Sequence, residues 1–169
     1  MKELHCPSCG ASFVRVVSQD GRVERLLGFV NVVSFRCQLC TNHFRSFSPG
    51  ARRETQASDR RQYARLAASI EARVLDRNEP AAPNQITDIS MDGCTLQATG
   101  LTQGAVVELL LKPAVEEDTI RIERALVCSV RPGSTGIKFL SVLQEYRQRL
   151  GQVVLGLLVS QRSYLSFHE

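Results

Sequence analysis

The sequence predicts a mainly β protein: a small cysteine-stapled N-terminal unit, then an antiparallel β-barrel, then a long C-terminal α-helix. Three observations carry that prediction. Two Cys-x-x-Cys pairs, Cys6/Cys9 and Cys37/Cys40, stand about thirty residues apart. Short runs of alternating apolar residues, separated by turn residues, fill most of 66–140. Beyond residue 141 the apolar spacing shifts to a helical period.

The chain has 169 residues, 43% hydrophobic and 22% charged, which suits one globular domain or two small ones. No apolar run approaches the ~20 residues that span a bilayer. The start, Met1 to Cys6, lacks a signal-peptide core. Both features lead us to expect no transmembrane segment and a cytoplasmic location. With no Trp and 6% aromatic residues, a stacking platform for single-stranded nucleic acid is not expected. The net charge of +4 is uneven: +3 over 1–50, +3 over 51–65 and −2 over the rest. Only Lys2, Lys112 and Lys138 are lysines. The other cations are arginines, whose planar fork binds two oxygens at once.

In the N-terminal unit, predicted for 1–50, strand-like sequence links the two cysteine pairs. Ser12 to Val17 is β-branched, Asp20-Gly21 is a two-residue hairpin signal, and Val23 to Phe35 runs into the second pair. Zn²⁺ takes four tetrahedral ligands, and each Cys-x-x-Cys turn supplies two thiolates from one side. Cys6, Cys9, Cys37 and Cys40 are therefore assigned as ligands of a structural zinc in a unit resembling a zinc ribbon. Four protein ligands leave no open position for catalysis. His5 and His43 lie beside the cysteines as alternative ligands or as neighbours of the shell. Cys94 and Cys128 fall in predicted strands and are expected in the core.

Residues 51–60 read as a linker, with no apolar period. The barrel is predicted over 61–140, with strands at 66–76, 84–90, 93–99, 105–112, 118–131 and 135–140. Turn signals separate them at Asn78–Pro83, Met91-Asp92-Gly93, Gly100, Gly104 and Arg131-Pro132-Gly133. Ile120, Ile122, Ala125, Val127 and Ser129 alternate with a slip near Arg124, which predicts a bulge. From 141 to 163 a helix is predicted, with Leu143, Tyr146, Leu150, Val153 and Leu157 on one face. Its apolar later part, Val153 to Val159, must be covered by the barrel or by a second copy in a homodimer.

Two polar motifs flank the first barrel strand. Arg60-Arg61-Gln62-Tyr63-Ala64-Arg65 contains Arg-x-x-x-Arg as Arg61 and Arg65. Asp88-Ile89-Ser90-Met91-Asp92-Gly93 forms an Asp-x-Ser-x-x-Gly turn. In this order, and with Thr135 to Leu140 as a last strand, they resemble the PilZ domain family over about 58–145. The resemblance implies a small antiparallel barrel that binds the bacterial second messenger cyclic di-GMP. It assigns ligand binding to Arg61, Arg65, Asp88, Ser90 and Gly93. Arginine forks suit phosphate or the O6/N7 edge of guanine. Asp88 suits the guanine N1–H and N2–H donors, and Ser90 can donate to a ligand oxygen. Gly93 permits a tight turn and close backbone approach. By the same resemblance, Arg60 favours a stacked pair of ligand molecules over one.

The implied function is that of an adaptor, not an enzyme. No catalytic constellation and no Gly-rich phosphate loop is evident. Ligand phosphates would neutralise the arginines, draw the linker onto the barrel and rearrange the zinc unit for a protein partner. Two alternatives stand beside it. One is a nucleic-acid-binding zinc-ribbon factor, resting on Arg15, Arg22, Arg25, Arg36 and Arg45. The other is an interaction protein of the same fold without ligand.

Overall fold

The computed structural model describes residues 4–17, 31–47, 63–76, 79–97, 100–113 and 119–166, with side chains left undescribed at 76–82 and 162–166. The chain divides into two compact units, Met1–Ala64 and Arg65–Glu169. Asp20-Gly21, Arg22, Arg25, the 51–60 linker, Arg60 and Arg61 lie outside the described residues.

In the first unit, β1 (Val14–Val16), β2 (Val32–Cys37) and β3 (His43–Phe47) form an antiparallel sheet in the order β1-β2-β3. Phe35 and Phe44 are cross-strand partners with rings stacked at 5.8 Å. Among the described residues of this unit, the buried side chains are Cys6, Val17, Ser34, Phe35, Cys37, Gln38 and Tyr63. A core of that size is marginal unless something staples it.

The second unit is a closed six-stranded barrel. It comprises β4 (Leu66–Asp76), β5 (Glu79–Ser90), β6 (Gly93–Leu96), β7 (Val106–Lys112), β8 (Ile120–Arg131) and β9 (Ser134–Ser141), closed in the order β4-β5-β6-β9-β8-β7. Alternation puts one face of each strand inside: Val107, Leu109 and Leu111 of β7 are buried while Val106 and Lys112 are exposed. The register slips between Arg124 and Ala125, where the sequence predicts a bulge. Pro132-Gly133, with Gly133 at φ 72°, closes the β8–β9 turn expected from its residues.

Two expectations change within the barrel. The turn predicted over 78–83 is largely strand, because β5 begins at Glu79. Its prolines are tolerated because residues 79–85 pair with β4, whereas the β6 ladder starts only at Ile86. A proline without an N–H costs nothing where no second strand needs it. Cys128 is exposed, unlike Cys94, which is fully buried. The slip at Arg124 and a second one between Val127 and Ser129 set the facing of the residues around it.

The helix α1 runs from Gln144 to Ser166, because Ser141 still pairs with Arg124 in β9. Leu143 precedes it and accepts the Arg147 N–H at 2.8 Å. The buried stripe is Leu150 and Val154, one helical turn apart, on the side that meets β4 and β8. Leu143, Leu155 and Val159 are exposed. Among the described residues, no helix is long and apolar enough to cross a membrane.

Candidate functional site

The two cysteine knuckles are built alike. The Cys6 N–H donates to the Ala11 carbonyl and the Cys37 N–H to the Asn42 carbonyl, each five residues on and each at 2.9 Å. Each ends in a left-handed residue, Gly10 at φ 72° and Thr41 at φ 64°. Only that backbone conformation turns the chain back under the sulfurs, and the second knuckle adopts it with a β-branched residue.

The four Sγ atoms lie within 4.8 Å of one another. Cys6 and Cys40 approach to 3.5 Å, and Cys9 and Cys37 to 3.6 Å. These are not disulfide distances, which are about 2.0 Å. Tetrahedral Zn–S bonds of ~2.3 Å would set sulfurs ~3.8 Å apart, so the residues present fit the ion. His5 and His43 are not part of this cluster of four. Burial pushes the Cys6 thiol up, but the Cys9 and Ser8 backbone N–H groups and the neighbouring thiols outweigh it and hold the group at about 7. Burial dominates at Cys37 and pushes it up to about 12, and raises Cys40 as well. The Leu39 N–H points at Cys37 Sγ from 3.5 Å.

The barrel carries the second cluster. Cα pairing sets Asp88 opposite Thr95 across β5 and β6, after a register shift between Ile86 and Asp88. That shift leaves Thr87 and Asp88, two successive residues, out of the core between buried Ile86 and Ile89. Arg65 lies one residue before Leu66, which pairs with Ile89. Its Nη1 donates to Asp88 Oδ1 at 3.1 Å and to Thr95 Oγ1. Thr95 Oγ1 in turn donates to Asp88 Oδ1 at 3.0 Å. Thr95 is absent from the predicted set, because its place depends on cross-strand register.

Ser90 and Gly93 serve the turn. The Ser90 hydroxyl donates to the Gly93 carbonyl at 3.2 Å and accepts the Asp92 N–H at 3.3 Å. A Cβ at Gly93 would overlap the Ile137 carbonyl oxygen of β9. Glycine is required there by strand pairing within the barrel. Arg65, Asp88, Ser90 and Gly93 thus cluster at one end of β4, β5 and β6, whereas Arg60 and Arg61 lie outside the described residues.

Cys94, next to Thr95, is fully buried. Burial and then the Asp88 charge push its thiol far up, only partly opposed by Arg65. Full burial and that upward shift both disfavour the reactive thiolate.

A family model described as the PilZ domain matches residues 59–156. Among solved structures, the PilZ domain with c-di-GMP of YcgR from Escherichia coli is similar at a TM-score of 0.51 and 14% identity, over 63% of this chain and 98% of that one. The Bacillus subtilis inhibitor of motility, MotI/DgrA, is similar at a TM-score of 0.52 and 18% identity, over 77% of this chain and 67% of that one. No curated protein matches this chain.

Proposed function

The chain belongs to the PilZ domain family, and from that premise we propose that it is a cyclic di-GMP-binding adaptor, without enzymatic activity, acting in the cytoplasm. The observation that carries the reading is the Arg65–Asp88–Thr95 corner. Nη1 of Arg65 is engaged by Asp88 and Thr95. Among the described residues, the guanidinium's hydrogen bonds run through Nη1, which leaves the three N–H donors on Nη2 and Nε for a ligand. Among the described residues, Asp88 is engaged through Oδ1, and its Oδ2 would accept guanine N1–H and N2–H. The same contacts hold the arginine in one orientation, so less side-chain entropy is lost on binding.

Arg61 completes the Arg-x-x-x-Arg clamp, and Arg60 adds charge for a second, stacked ligand molecule. Ser90 and Gly93 act through the turn that carries Asp88. Cys6, Cys9, Cys37 and Cys40 hold a zinc ion whose work is structural, folding a unit with too small a core. Ligand phosphates draw the 51–60 linker and its arginines together, and the rearranged first unit meets a protein partner. A homodimer through α1 is part of this reading, supported by the exposure of Leu155 and Val159. The nucleic-acid alternative is weaker, because Arg36, one of its five arginines, is engaged by Tyr63.

Calorimetric titration of cyclic di-GMP into the intact protein, with Arg61→Ala and Asp88→Ala beside it, tests the reading. We expect micromolar or tighter binding in the wild type and at least a tenfold loss in each variant. No binding to folded wild-type protein by two methods would remove the nucleotide. Limited proteolysis at 51–60 tests the switch: cleavage slows at saturating ligand, and an unchanged rate rules the switch out.

A further inference from the structure

Tyr63 and Ala64 are fastened to the second cysteine knuckle and its flank inside the first unit. Tyr63 is buried, and its hydroxyl accepts Arg36 Nη1–H at 2.9 Å while the guanidinium carbon lies 5.4 Å from its ring centroid. Gln38 is buried as well, and its Oε1 accepts the Ala64 N–H at 2.7 Å. Its Nε2 donates to the Arg36 carbonyl at 3.3 Å. Arg36 and Gln38 flank Cys37, and Gln38 sits inside the Cys37–Cys40 turn. Tyr63 and Ala64 lie between the two arginines of Arg-x-x-x-Arg. The interior of the ligand motif is therefore hydrogen-bonded to the knuckle that carries two of the four thiols.

We propose that Arg36, Gln38 and Tyr63 are positioning residues for the nucleotide: the knuckle fixes the backbone of Tyr63 and Ala64, the two residues that immediately precede Arg65. The inference rests on the nucleotide reading above. Ordering those two residues before association removes its entropic cost from binding. Buried amides and hydroxyls hold their geometry because breaking them strands polar groups away from water. The coupling is reciprocal: ligand bound at Arg65 also steadies Tyr63 and Ala64, and loosening those two residues weakens binding.

The test titrates cyclic di-GMP into the full-length, metal-loaded protein and follows amide hydrogen exchange at Ala64 and Arg65 on the same samples. Gln38→Met keeps the side chain's bulk without the acceptor. Its metal content is expected to stay at the wild-type value, its Ala64 amide to exchange faster, and its Kd to rise about tenfold, or about 1.4 kcal/mol. Gln38→Glu restores an oxygen for the Ala64 N–H and recovers most of the affinity. Tyr63→Phe alters neither the knuckle nor the ring and weakens binding about threefold. Faster exchange with an unchanged Kd in both Gln38→Met and Tyr63→Phe would overturn the positioning role alone. No binding by the wild type overturns the nucleotide reading, and the positioning role with it.

Discussion

Arg65 and Asp88 form an ion pair of 3.1 Å that stays partly open to solvent, with side-chain exposures of 37% and 27%. Exposed pairs of this kind contribute little to stability, about 0–1 kcal/mol. Under the proposed function, the pair's work is to hold Arg65 and Asp88 ready for a ligand. Arg65→Ala and Asp88→Ala are therefore expected to shift the thermal midpoint by only a few degrees while abolishing measurable nucleotide binding. A large loss of stability with intact binding would reverse that assignment.

Thr41 at φ 64° is a β-branched residue in the left-handed region. Such a conformation costs about 1–3 kcal/mol outside glycine. Thr41→Gly is expected to stabilise the metal-loaded first unit by roughly 1 kcal/mol, after glycine's greater unfolded-state entropy is subtracted. Gly10, at the matching place in the first knuckle, already has that residue type. Denaturant titration followed by the environment of Phe35 and Tyr63 would measure the change. A destabilised variant would show that the threonine hydroxyl or methyl has its own role.

Thiol labelling separates the six cysteines into three classes. Cys128 is exposed, Cys94 is fully buried, and the remaining four form the cluster. With metal bound, one thiol should react quickly. After chelation five should react, and the sixth, Cys94, only on unfolding. Five fast thiols in freshly purified, metal-containing protein would rule out cysteine coordination.

Leu150 is 1% exposed on α1, and Leu155 is 39% exposed on the same helix. Leu150→Ala should cost about 2–5 kcal/mol through the cavity it leaves. Leu155→Ala should stay within about 0.5 kcal/mol for the monomer. A concentration-dependent melting point that Leu155→Ala abolishes would support the helix-mediated dimer.

Local patterns were legible in the sequence and register was not. The Cys-x-x-Cys spacing names all four sulfurs that the fold gathers, because each turn fixes its own pair. Asp88, Ser90 and Gly93 are equally readable, since a two-residue hairpin ties them together. The role of Gly93 is less so: the backbone it must admit belongs to Ile137, more than forty positions away. Thr95 meets Asp88 only after a slip at Thr87, and one-residue slips reverse the facing of everything beyond them. The exposure of Cys128 escaped the pattern for a similar reason. On α1 the expected stripe loses Leu143, which precedes the helix because β9 runs on through Ser141, and gains buried Val154 beside buried Leu150, with Tyr146, Val153 and Leu157 half-buried.

Closure of the barrel has a consequence for recognition. Each of its six strands has a neighbour on both sides, from β4 round to β7 and back. Apart from residues 79–85 of β5, which pair with β4 alone, the described strands leave little main-chain edge onto which a peptide could be stitched, the route open sheets offer to guests and to aggregates alike. Along the closed ladders a partner must read side chains, so specificity there is written in a few outward positions that point mutation can redraw without touching the scaffold.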